Sequence, residues 1–253
     1  MAARGGLRVA ALSDVHYSRH TKGLYGDLFA QAASQADVLA ICGDLTDYGL
    51  PEEAQLLVSD LRAHVRIPVL AVLGNHDFES GRADEVVAVM EEAGVTMLDG
   101  ACVEVGGVGF AGVCGFGGGF GDRMLNAWGE RLIKEFVQAA VDEELKLEHA
   151  LSRLDTPARV AILHYAPIRE TVEGEPPEIF PFLGSSRLEE PLNRFEVRAA
   201  FHGHAHHGVA EGKTAAGCPV YNVSIPVLKE LFPDKPPFRV VTVARENSKG
   251  PSS

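Results

Sequence analysis

The chain holds 253 residues, room for one large domain or two small ones, with 46% hydrophobic and 23% charged residues, as in ordinary globular proteins. No apolar run approaches the roughly 18 residues of a membrane span, so no membrane association is expected. A formal charge of −12 speaks against a dedicated binder of nucleic-acid polymers, since phosphate-backbone affinity comes from clustered Lys and Arg, but it leaves room for a small phosphorylated substrate if bound cations supply positive charge locally.

The apolar stretch Leu7 to Leu12 runs into Ser13-Asp14 without a small-residue cleavage pattern, so it reads as a first strand and not a signal peptide. Asp14 and His16 follow it; two apart on an extended chain, they project to one side and can share an ion. Leu24 to Ala36 has helical character, with Leu28, Phe29 and Ala32 on one face. Val38 to Cys42 is the second strand and ends in Gly43-Asp44. Pro51-Glu52-Glu53 opens a helix to about Val65, with proline and acids in its first turn. Ile67 to Leu73 is the third strand, ending in Gly74-Asn75-His76-Asp77.

Thirty residues separate Asp14 from Asp44, and thirty-one separate Asp44 from Asn75. One βαβ unit is about 30 residues. Each strand therefore delivers its polar residue at the same end of a sheet, where open α/β sheets bind ligands.

A helix from about Arg82 to Ala93 comes next. Val95 to Leu98, Cys102 to Val105 and Val108 to Val113 are short strands divided by Gly and Asp, as in antiparallel turns. Cys114 to Asp122 is glycine-rich but lacks the Lys-Ser/Thr ending of a P-loop, which leaves a flexible loop or a substrate-contacting one. Trp128 to Leu154 reads as a long charged helix, with Leu132, Ile133, Phe136, Val137, Ala140 and Val141 placed to cover a sheet face. Arg159 to Leu163 is a strand that ends in His164. Pro167 to Arg194 is long and aperiodic, a length at which loops tend to be functional or disordered. Arg198 to Phe201 leads into His202-Gly203-His204-Ala205-His206-His207, and strand-like runs follow at Gly217 to Val223 and Phe238 to Val243. With no repeat and no linker, one domain over 1–245 is expected, carrying a helical insertion at about 128–154 and a flexible tail over 246–253. Cys42, Cys102, Cys114 and Cys218 are scattered, without CxxC spacing, and read as buried free thiols of a cytoplasmic protein.

Collected, the strand-end residues are Asp14, His16, Asp44, Asn75, His76, His164, His204 and His206. This N/O ligand set suits Zn, Mn or Fe better than Ca or Mg, and it exceeds what one ion can use. Two ions roughly 3.5–4 Å apart, bridged by one carboxylate, would use it all.

In chain order, Asp14-x-His16, Gly43-Asp44, Gly74-Asn75-His76-Asp77, His164 and Gly203-His204-x-His206 resemble the five-block signature of the calcineurin-like metallophosphoesterases, over residues 7 to about 225. The resemblance implies an α/β fold of two mixed β-sheets packed as a sandwich and flanked by helices, four layers in all. It implies two metal ions, with Asp14, His16 and His206 on one, Asn75, His164 and His204 on the other, and Asp44 between them. His76 matches the family's proton donor and Asp77 the acid beside it, so both are expected to be catalytic. In-line attack by a metal-bridging hydroxide is the reaction this implies.

The arginine-rich second block of the protein serine/threonine phosphatases, GDxVDRG followed by GNHE, is missing: this chain has Gly43-Asp44-Leu45-Thr46-Asp47-Tyr48-Gly49 and Asp77. Its pattern is similar to the class III cyclic-nucleotide phosphodiesterases and their broad-specificity relatives. A phosphodiesterase acting on small substrates is the expected activity. A phosphomonoesterase or nucleotidase on the same site is the alternative, and a non-catalytic scaffold, given the intact ligands and His76, is the least favoured. Arg169 and Arg187 stand where either could meet a phosphate or base, or lie solvated. The oligomeric state is left open.

Overall fold

Strand side chains alternate between two faces, and here both faces are apolar. In the first strand, β1 (Leu7–Leu12), Val9 and Ala11 point one way and Ala10 and Leu12 the other, and all four are buried. The same holds in β2 (Val38–Cys42) and β3 (Val69–Val72). Such strands need cover on both sides. The computed structural model, which describes residues 6–245, supplies it in four layers.

The first sheet has the order β11-β1-β2-β3-β4, where β4 is Thr96–Met97 and β11 is Arg239–Val243; only β11 runs antiparallel to its neighbour. The second has the order β5-β6-β7-β8-β10-β9. Its strands are β5 (Ala101–Val105), β6 (Val108–Val113), β7 (Arg159–Leu163), β8 (Ala199–His202), β9 (Glu211–Lys213) and β10 (Pro219–Asn222). Its outer pairs are antiparallel and its inner ones parallel. Val9, Ala11, Val38 and Val72 of the first sheet meet Phe110, Val160, Ile162 and Phe201 of the second in the central core. Outside the first sheet lie α1 (Gly26–Gln35), α2 (Pro51–His64) and α3 (Ala83–Glu92), whose Phe29, Leu57 and Met90 bury the other strand faces. Outside the second lie α4 (Arg131–Ser152) and α6 (Glu189–Arg194), through Leu147, Leu151 and Leu192. This is the expected sandwich of mixed sheets flanked by helices.

Some local expectations need correction. β4 pairs in parallel with β3 and so closes a crossover; the antiparallel turn begins only with the β5–β6 hairpin. The Pro167 to Arg194 segment is built of short helices, including α5 (Phe180–Leu183) and α6, and it docks on β7's exit through bonds between Ala166 N and Leu183 O and between Ser185 N and Ala166 O, both 3.0 Å. Helix α7 (Ile225–Leu231) and β9 lack a readable period because they are short. Leu132 and Ile133 do not cover the sheet: they are 71% and 36% exposed, while burial in α4 begins at Val137. The reason is length. A 22-residue helix extends about 33 Å, whereas a six-residue strand extends about 20 Å, so the first turns of α4 overhang. The tail expected over 246–253 lies outside the described residues.

Candidate metal centre

The carboxyl ends of β1, β2 and β3 in one sheet and of β7 and β8 in the other open toward the same point. The loops after β1 and β2 continue side by side beyond the sheet: Asp14 N donates to Gly43 O (3.2 Å), His16 N to Asp44 O (3.0 Å) and Tyr17 N to Leu45 O (3.1 Å). Asp14, His16, Asp44 and His204 take the left-handed backbone conformation, with φ of 60°, 42°, 49° and 69°. Each such residue costs on the order of 1–3 kcal/mol, and such strain concentrates at functional sites.

Space for these turns comes from missing side chains. A Cβ on Gly43 would overlap the His164 ring, one on Gly74 would overlap Asp44, and one on Gly203 would overlap Ser13 and Asp14. The glycines before Asp44, Asn75 and His204 are therefore packing requirements. Ser13, which carries no readable signal in the sequence, ties the two loops by donating from Oγ to Cys42 O at 2.6 Å.

Donor atoms of Asp14, His16, Asp44 and His206 converge on one point, and those of Asp44, His164 and His204 on a second, so Asp44 belongs to both sets. Its Oδ2 stands 3.6 Å from His16 Nε2 and its Oδ1 3.4 Å from His164 Nε2. These separations exceed a good hydrogen bond. Two donors around one ion, at metal–ligand distances near 2.1 Å, stand about 3.0–3.4 Å apart, which the His164 separation matches and the His16 separation slightly exceeds. His206 Nε2 is 2.9 Å from Asp14 Oδ1, and Asn75 Oδ1 is 2.9 Å from His164 Nε2. All seven expected ligand-type residues lie in this one cluster.

The imidazoles are held in fixed orientation. A carbonyl only accepts, so His164 Nδ1–H donates to Cys42 O (2.9 Å) and His204 Nε2–H to Phe182 O (3.1 Å), which leaves the other nitrogen of each for the centre. Burial lowers the pKa of His164, takes His16 down to about 4 and takes His204 down to about 3. All three are neutral, as ligation requires. Burial and the charges of Asp14 and Asp77 raise Asp44 to about 8. Burial opposes the ionised Asp14 too, yet its bond to His206 and the nearby histidines hold it below the carboxylate range. His16 Nδ1 is buried without a hydrogen bond, 3.7 Å from Asp47 Oδ1. Asp44, a buried carboxylate short of positive charge between the neutral imidazoles of His16 and His164, beside an Asp14 that already draws on His206, fits a site for divalent cations.

His76 and Asp77 part company. The His76 amide donates to Asp44 Oδ1 (2.9 Å) and its Nδ1–H to Asp47 O (2.8 Å), so Nε2 is free; its ring packs edge-on against His16 at 4.5 Å. Asp77, expected among the catalytic residues, is fully buried and accepts from Leu45 N, Thr46 N, Thr46 Oγ1 and Gly74 N at 2.6–3.1 Å. With its oxygens so occupied, it braces the β2 and β3 turns.

Beside the cluster lies a cleft of about 470 Å³ walled by Asn75, His204, Tyr165, Phe116, Phe136 and Phe182. The glycine-rich segment forms part of this wall, tied down by bonds from Gly118 N to Pro181 O (2.7 Å) and from Gly119 N to Gly184 O (2.9 Å). Neither arginine singled out in the sequence lines this cleft. Arg187 pairs with Glu144 at 3.7 Å, and Arg169 lies over Phe180 and beside Glu173.

A sequence model of the family described as "Calcineurin-like phosphoesterase" matches residues 7–208. No curated protein sequence matches the chain. Among solved structures, phosphopantetheinyl hydrolase (PptH) from Mycobacterium tuberculosis is similar over 94% of this chain and 97% of its own, with a TM-score of 0.68 and 15% identity. The protein TT1561 of Thermus thermophilus is similar over 94% and 99%, with a TM-score of 0.55 and 14% identity. A putative 5'-nucleotidase from Staphylococcus aureus is similar over 85% of this chain and 48% of its own, with a TM-score of 0.52 and 17% identity. At these identities the likeness is one of fold.

Two outcomes test the geometry. Asp77→Ala leaves four donors without an acceptor and should cost roughly 2–4 kcal/mol in urea unfolding. Unchanged stability with lost turnover would return Asp77 to the catalytic residues. Asp44→Ala should lower the bound metal, read by elemental analysis, together with activity; two ions per chain at normal turnover would remove Asp44 from the centre.

Proposed function

The chain belongs to the calcineurin-like phosphoesterases, and from that premise we propose that it hydrolyses small phosphodiesters at a two-cation centre. Asp14, His16 and His206 would hold one cation, Asn75, His164 and His204 the other, and Asp44 both. The N/O donor set suits Mn, Fe or Zn. When bound, two such cations supply Lewis acidity, acidifying water and drawing charge from the phosphoryl oxygens.

The protein's own groups supply the rest. Asn75, at the border between the cluster and the cleft, orients the phosphate. Attack by a water oxygen, its proton lost to solvent, forms one P–O bond as the bond to the leaving oxygen breaks, and the leaving oxygen must gain a proton. His76 is placed to give it from Nε2. Burial works against a charged His76, but its bond to the Asp47 carbonyl and the carboxylates of Asp44, Glu79 and Asp47 hold it above the ordinary histidine range. No covalent enzyme intermediate is needed.

The preference for a diester rests on the cleft. A monoester dianion exposes terminal oxygens that call for cationic donors beyond the metal ions. The cleft wall offers Phe116, Phe136, Tyr165 and Phe182 instead, which suit a second ester group. The fold does not choose between the two, since its neighbours include proteins titled as a phosphopantetheinyl hydrolase and as a putative 5'-nucleotidase. Four scattered free cysteines support a reducing, cytoplasmic location. Among the described residues no helix is long and apolar enough to cross a membrane.

With Mn present, kcat/KM for a chromogenic diester should exceed that for the matching monoester. The reverse ranking would favour the nucleotidase reading, and no turnover of either with any divalent metal would favour a scaffold. His76→Asn should keep both metals and reduce kcat by roughly 10²–10⁴-fold, less for a good leaving group. An equal loss for good and poor leaving groups would assign His76 to electrostatic stabilisation of the phosphoryl oxygens, and unchanged turnover would leave it without a role in the reaction.

A further inference from the structure

The cleft beside the metal centre does not end there. A second hollow of about 440 Å³ shares its Asn75, Phe116 and Tyr165 walls and continues to Phe78, Cys114 and Lys146. A third, of about 420 Å³, shares Phe78, Cys114 and Lys146 with the second and runs on between α3 and the start of β5, along Val87, Met97 and Leu98. The three form one groove that leaves the centre at Asn75 and passes over the carboxyl end of the sandwich. Its floor is mainly apolar in the two hollows nearest the centre and mixed in the third, where Leu73, Val87, Met97 and Leu98 stand among acids, and Phe78 and Phe182 stand 51% and 58% exposed along it.

Its charge is one-sided. Asp84, Glu91, Asp99, Asp142 and Glu143 border the groove, against the single cation Lys146. That ammonium donates to Asp99 Oδ1 (2.9 Å) and Glu143 Oε1 (2.8 Å) and so is already matched. An arm carrying further phosphate or carboxylate groups would meet Asp84, Glu91 and Asp142 with no uncommitted cation among the groove's described residues to pair with, which selects against it. A small cyclic diester would leave most of the apolar floor wet.

We propose that the groove receives an extended, apolar second ester group free of negative charge, so that the preferred substrates are unsymmetrical phosphodiesters with one long alkyl or aryl arm. This rests on the diester reading above. The phosphate would be the single anionic part of the substrate, lying at the cation centre, while the arm runs from Tyr165 and Phe116 toward Val87. Each methylene that the groove buries strengthens binding by roughly three- to fourfold.

The test is a series of p-nitrophenyl diesters with one leaving group and a varied arm: methyl, phenyl, octyl and ω-carboxyheptyl. In the Mn-loaded enzyme, kcat/KM should rise at least about tenfold from methyl to octyl, and the carboxylate should abolish that gain. Val87→Asp, at a half-buried position where α3 lines the groove, should lower the octyl rate at least about fivefold more than the methyl rate, with the unfolding midpoint checked alongside. A flat series, or a carboxylated arm equal to the octyl one, would overturn the groove while leaving the diester reading intact. If monoesters turn over and no diester does, the diester reading fails; the same compounds as inhibitors of monoester hydrolysis then decide the groove. Tighter inhibition by octyl than by carboxyheptyl would support it, and equal inhibition would overturn it.

Discussion

One buried carboxylate holds this site together. Asp44 is 1% exposed, faces His16 on one side and His164 on the other, and accepts from the His76 amide. Those partners come from β1, β7 and β3, so a single side chain links the two sheets at the end where they open. In this protein its negative charge is sustainable only with positive charge nearby. Burial and the neighbouring carboxylates of Asp14 and Asp77 otherwise drive Asp44 toward its protonated form. Any cation bound here would thus be linked through one group to the integrity of this end of the sandwich.

The surrounding structure maintains what the site would not adopt alone. Four left-handed non-glycine residues amount to several kcal/mol of local strain, on the order of 1–3 kcal/mol each. They are fixed by the loop-to-loop ladder from Asp14 to Tyr17, by Ser13 Oγ on Cys42 O, and by the four donors gathered on Asp77. Two densely packed sheets supply the rigidity. Asp77 shows how adjacent residues diverge on a 3₁₀ turn: His76 faces the opening, while Asp77 turns into the protein and ties β2's exit to β3's.

Residues of ligand type at the ends of apolar strands, about one βαβ unit apart, are readable in the sequence itself, because periodicity and chain length fix where a strand must end. Burial on both faces of β1 to β3 and the order of the first crossovers follow from the same local physics. Short elements were not readable. β9, α5 and α7 span too few residues to show a period, and their positions follow from what they pack against. Asp77 reads as a reactive acid in sequence because its type and neighbours suit that role; only the direction of its side chain shows that it is a brace.

The acidic, aromatic groove likewise belongs to the tertiary structure. Phe78, Val87, Phe116, Lys146, Tyr165 and Phe182 are spread over more than a hundred residues and come together only when β4 adds to the first sheet and α4 crosses the second. Sequence alone determined which atoms can bind cations and at which end of the strands they emerge, since both depend on residue type and local period. Which oxygens are shared, which acid is turned inward and what shape of substrate arm fits depend on side-chain direction and long-range packing. Those were decided only when the two sheets closed on one another.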